Sequence, residues 1–136
     1  YLQPQELVSQ NAVLTVQVPG GFILQPPADP SIEQVLAFQG AEAVYFSVEP
    51  VSIDDAGLQA SASNIGCVLA DSQPYDDGAF VGLRGTLDCG DPARQSTIIH
   101  AVANASGVTV FVAVETTNDT FGDGTFALVL RSSNLL

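Results

Sequence analysis

The sequence predicts an α+β fold in which an antiparallel β-sheet is covered by two or three helices, an α-β-α sandwich. Several short segments alternate apolar and polar residues and are separated by turn formers, the pattern of half-buried strands. Only two or three segments carry helical signals, and no internal repeat interrupts them. The chain has 136 residues, 46% of them hydrophobic and 13% charged. A chain of this length buries roughly 68% of its unfolded surface, enough for one core. Residues 1–11 are polar and read as an N-terminal arm; residues 12–136 read as a single globular domain.

The elements follow in order. Residues 12–18 (AVLTVQV) are strand-like and stop at Pro19-Gly-Gly21, with 22–24 as a continuation. Gln25-Pro-Pro-Ala-Asp-Pro30 holds three prolines and reads as a stiff extended loop. Residues 31–38 fit either a short helix opened by Ser31 and Glu33 or a strand over 35–38. In 43–49, Val44, Phe46 and Val48 alternate with Ala43, Tyr45 and Ser47, a strand closed by Pro50. Ser52 then serves as a helix N-cap, with Asp54 and Asp55 in the first turn, where the helix dipole favours carboxylates. Ala56, Ala60 and Ala62 propagate the helix, and Asn64-Ile-Gly66 ends it.

Residues 65–71 and 79–89 form the next pair of strands around the turn cluster Gln73-Pro-Tyr-Asp-Asp-Gly78. A hairpin closing there sets Cys67 opposite Cys89 on its apolar face, which reads as a cross-strand disulfide; two buried free thiols are the alternative. After the turn Gly90-Asp-Pro92, residues 95–103 and 108–116 make a further hairpin. The strand 108–116 is apolar on both faces and belongs at the centre of a covered sheet. In 126–136, Phe126, Val129, Leu130 and Ser133 recur at helical spacing and predict a helix on the sheet.

The charge excludes partners more sharply than it names them. Fifteen acids face three arginines and no lysine, a net charge of −12. Three arginines cannot follow a phosphate backbone, so nucleic acid is excluded, and direct binding to anionic membranes is disfavoured. No apolar run approaches the about 18 residues of a membrane helix. No signal peptide is read at Tyr1-Leu-Gln-Pro-Gln-Glu6, which fits a cytosolic chain or an already processed one. A disulfide and the sequons at Asn104 and Asn118 favour a secreted or envelope location, periplasmic or extracellular.

Catalytic signals are sparse. His100 is the only histidine, and no nucleophile elbow, zinc motif or phosphate loop accompanies it. No cofactor is expected. Asp119 and Asp123 sit in a spacing reminiscent of a calcium loop, with Phe121 and Leu130 where ligands belong, and turn formation is the favoured account of these aspartates. Tyr1, Leu2, Leu135 and Leu136 are candidates for docking on a partner protein or for simple closure of the core.

Three stretches together resemble the PsbP family of extrinsic photosystem II subunits and its wider fold group, which includes a Ran-binding nuclear import factor. They are Val16-Gln-Val-Pro-Gly-Gly-Phe22, residues 43–51 with Pro50, and Gly107-Val-Thr-Val-Phe-Val-Ala-Val114 followed by 126–133. Phe22 stands where that family usually has tryptophan, and its basic docking residues are missing. The resemblance implies an α-β-α sandwich that docks on a larger assembly rather than catalysing a reaction. The expectation is therefore a non-catalytic, extracytoplasmic accessory subunit that binds a protein partner. The alternatives are a calcium-stabilised subunit of a surface layer or fibre, and a small secreted hydrolase using His100.

Overall fold

A computed structural model describes residues 5–9, 14–18, 20–26, 29, 31–40, 42–76, 78–90, 96–105, 108–116 and 127–130. The strands are β1 (Gln5–Val8), β2 (Leu14–Val18), β3 (Ile23–Gln25), β4 (Glu33–Gln39) and β5 (Glu42–Val48). Helix α1 (Asp55–Asn64) leads to β6 (Val68–Asp76), β7 (Val81–Asp88), β8 (Ser96–Ala105), β9 (Val108–Thr116) and β10 (Ala127–Leu130). Seven strands form one antiparallel sheet in the order β3-β4-β5-β9-β8-β7-β6, and β1-β2-β10 form a second.

Strand alternation divides the seven-stranded sheet into two faces. On one face Val35, Ala37, Val44, Phe46, Ile99, Ala101, Val112 and Val114 build the larger core together with Leu7 of β1 and Phe22. Gln5 fastens the two sheets by donating to the Phe22 carbonyl and accepting from the Phe22 N–H. On the other face Leu58 and Ala62 of α1 pack with Ile98, Leu87 and Cys67 in a smaller core. The molecule is thus layered as sheet, sheet and helix.

This arrangement corrects the expected fold class. One helix, not two or three, covers the sheet among the described residues, and β-strands cover the opposite face. The residues expected as a C-terminal helix contain β10, paired with β2 at Ala127↔Gln17 through Leu130↔Leu14. A short apolar run fits either period, and β2 supplies an edge that only a strand can satisfy. Residues 33–39 take the strand alternative, and the stretch expected as a polar arm contributes β1.

The helix exists because β5 and β6 are not neighbours. The chain must cross β9, β8 and β7 to reach the sheet edge, and α1 lies within that crossing. Its start falls two residues later than expected. Asp54, not Ser52, is the N-cap and accepts from Gly57 N–H at 2.7 Å, while Ser52 Oγ donates to Asp54 Oδ2. Gly57 is needed where it stands, since a Cβ there would run into the Ser52 carbonyl. The helix ends in a Schellman motif: Cys67 N–H donates to Ala62 O at 2.9 Å and Gly66 N–H to Ser63 O at 3.1 Å. Gly66 takes the left-handed φ of 75° that this closure requires.

Candidate functional site

A ten-residue helix is about 15 Å long and about 10 Å wide. Seven strands at about 4.8 Å spacing span about 29 Å, so α1 covers only part of its face. Leu36, Tyr45, Glu115 and Ile98 occupy one row across β4, β5, β9 and β8. Ile98 is fully buried beneath α1, whereas Leu36, Tyr45 and Glu115 are only half-buried. The adjoining row carries Ile23, Phe38 and Ala43, with Ile23 67% and Phe38 39% exposed. Between these strands and the end of α1 lies a cleft of about 400 Å³, lined by Leu36, Ala43, Tyr45, Ile65, Ser96, Glu115 and Thr116. Ile65 reaches it because the Schellman turn halts the helix there.

Among the described residues, the cleft holds ionisable groups that can only be neutral or negative. Burial raises the Glu115 carboxyl above its ordinary value, and the charge of Glu49 adds to the rise. Tyr45 is opposite Glu115 in the ladder. Burial raises its phenol, a hydrogen bond with Ser47 acts against this, and Glu49 and Glu115 raise it further. The cleft is therefore apolar walls around a carboxylate and a phenol, a setting that can hold a partly desolvated contact.

His100 lies elsewhere, under α1, and is 1% exposed. Its Nδ1 is 3.0 Å from the Ser52 carbonyl and its Nε2 is 2.9 Å from Ser61 Oγ. A carbonyl only accepts, so Nδ1 donates to Ser52, and Nε2 shares its hydrogen bond with the Ser61 hydroxyl. A serine beside a histidine nitrogen is the first half of a nucleophilic device. Here the ring is oriented by a backbone carbonyl instead of a carboxylate, and neither side chain lines the cleft. The three groups act as a fastener that pins the crossing loop and α1 to β8.

Cys67 and Cys89 are joined at the mouth of the β6–β7 hairpin, with S–S 2.08 Å and Cα–Cα 4.3 Å. The hairpin is longer than expected, since β6 runs to Asp76 and takes in most of the predicted turn. Asn104 is exposed near the end of β8, where its Oδ1 accepts from Thr109 Oγ1 at 2.8 Å. The calcium candidates Asp119 and Asp123, the sequon Asn118 and the docking candidates Tyr1, Leu2, Leu135 and Leu136 lie outside the described residues. Among the described residues, no three acid, histidine or cysteine side chains gather as a metal site.

Sequence reasoning missed the cleft. One signal was present: Glu115 is the sole charge within the mostly apolar 108–116. Leu36 and Ile65 carried none, because their exposure depends on how far a helix reaches.

No family model matches the chain, and no curated protein does. The matches among solved structures include two Mog1 structures. A mutant of the protein Mog1 matches with a TM-score of 0.52 at 10% identity, over 87% of this chain and 79% of that one. The Saccharomyces cerevisiae Ran-binding protein Mog1p matches at 0.49 and 12% identity, over 88% and 80%. The expected resemblance to the PsbP family is corrected by the first match, since the fold shared is that of Mog1 and no family model supports PsbP. The expected secreted or envelope location is withdrawn with it: the fold shared is that of Mog1, and a likeness at 10% identity shows the fold alone. The cystine is a local clasp on one hairpin and does not decide the compartment.

Proposed function

We propose that this chain is a non-catalytic, protein-binding accessory domain that docks through the half of its helix-side face that α1 leaves open. The observation that carries the reading is the cleft itself, continuous with exposed Phe38 and Ile23 on the same face. Exposed apolar surface of this kind costs solubility, and its common use is association. The fold likeness to Mog1, described as a Ran-binding protein, supports binding over catalysis. So does His100, whose ring nitrogens are both engaged in holding the fold.

A photo-crosslinking side chain at position 36 or at position 68 tests the reading in extract from the native source. Val68 is a fair control because it is 60% exposed on the edge strand β6. The expected result is a discrete adduct from position 36 that is absent from position 68. Equal labelling from both positions, or none from either, overturns the open half-face as the docking surface.

A further inference from the structure

Among the described residues, the open half-face is chemically one-sided. Its charged groups are Glu115 within the cleft and Glu49 acting on it, and no cation bears on Glu115 among the described residues. The one described arginine, Arg84, pairs with Ile99 in the ladder and so belongs to the opposite face. Covering this surface with a purely apolar partner would strand the Glu115 charge in a low-dielectric contact. An acidic partner would add repulsion, and a second copy would bring its own Glu115 and a further net charge of −12.

Resting on the docking reading above, we infer that the occupant is a protein segment carrying an arginine or lysine flanked by apolar side chains. Its cation pairs with Glu115 and its apolar neighbours cover Leu36, Phe38 and Ile65. A guanidinium matches the carboxylate through two parallel hydrogen bonds. The Tyr45 ring, opposite Glu115 in the ladder and lining the same cleft, is an aromatic partner for the same cation. The long stem of either basic side chain lies well against apolar walls.

Two synthetic peptides of equal length test this, alternating leucine and serine around a central arginine or a central glutamate. Binding is measured by calorimetry to the wild-type chain, to Glu115→Gln, to Leu36→Ser and to Asp71→Asn. Asp71 is exposed on β6, so its replacement removes the same charge far from the cleft. The arginine peptide is expected to bind the wild type and Asp71→Asn alike, and Glu115→Gln about tenfold more weakly. Equal binding of both peptides, lost in Leu36→Ser, would overturn the cationic partner while keeping the docking surface. Equal weakening by Asp71→Asn and Glu115→Gln would overturn the paired contact in favour of general attraction. Binding of neither peptide, or a stable dimer of the free chain by sedimentation, would overturn both readings. Thermal melting separates the role from a structural one: Glu115→Gln is expected to raise Tm at neutral pH while it weakens binding.

Discussion

The two halves of the helix-side face share one sheet, one alternation and the same rows of residues, yet they differ in what lies above them. Under α1, Ile98, Leu87 and Gly85 are buried, and His100 has both ring nitrogens engaged. Beyond its reach, Leu36, Phe38 and Tyr45 are partly open and Glu115 has no cation beside it among the described residues. The difference teaches that strand pattern decides which way a side chain points, while the path of the crossing decides whether it is buried. A ten-residue helix on a seven-stranded sheet leaves one half structural and the other available.

The sharpest way to break this contrast is truncation on each side. Leu58→Ala, at the centre of the small core, is expected to cost about 2–5 kcal/mol in chemical denaturation. Leu36→Ala, on the open half, is expected to cost under about 1 kcal/mol. Comparable losses at the two positions would mean that the halves are equally structural. Next in size, replacing both Cys67 and Cys89 with alanine should cost about 2–4 kcal/mol, seen as a lower denaturation midpoint. Asp54→Ala removes the helix cap and should cost about 1 kcal/mol. If the covered half depends on α1, hydrogen exchange in β8 should quicken in that variant before exchange in β4 does.

The smallest effect has the opposite sign. Glu115 is an acid whose folded value is raised, so its charged form costs stability at neutral pH and its protonated form does not. As pH falls through the raised value toward the ordinary one near 4.5, the folded state takes up its proton first and gains stability. Glu115→Gln should therefore melt higher than the wild type at pH 7, with the gap closing as pH approaches 4.5. A gap independent of pH would remove the charge as its cause.

Much of the central sheet was legible because its strands carry strict alternation: 43–49 and 108–116 announce their faces residue by residue. The end of α1 was legible too, since Asn64-Ile-Gly66 encodes a left-handed closure. The cap was misplaced because Ser52, Asp54 and Asp55 all satisfy the chemistry of an N-cap, and the crossing loop decides among them. The expected helix over 126–136 was misread at 127–130 because the pairing of those residues with β2, ending at Leu130↔Leu14, joins residues far apart in the chain and leaves no local trace. The cleft was the least legible part, being defined by where the helix stops rather than by any motif.

The bond between Cys67 and Cys89 has a further consequence for alignment. β6 is an edge strand that already shifts once against β7, between Leu69 and Asp71. A slip of one more residue would turn its side chains to the wrong face, a fault to which edge strands with irregular pairing are prone. The bond lies just outside the first ladder pair, Val68↔Asp88, and holds the two chains level at that point. The hairpin can then bend or breathe at its far tip, but it cannot slide.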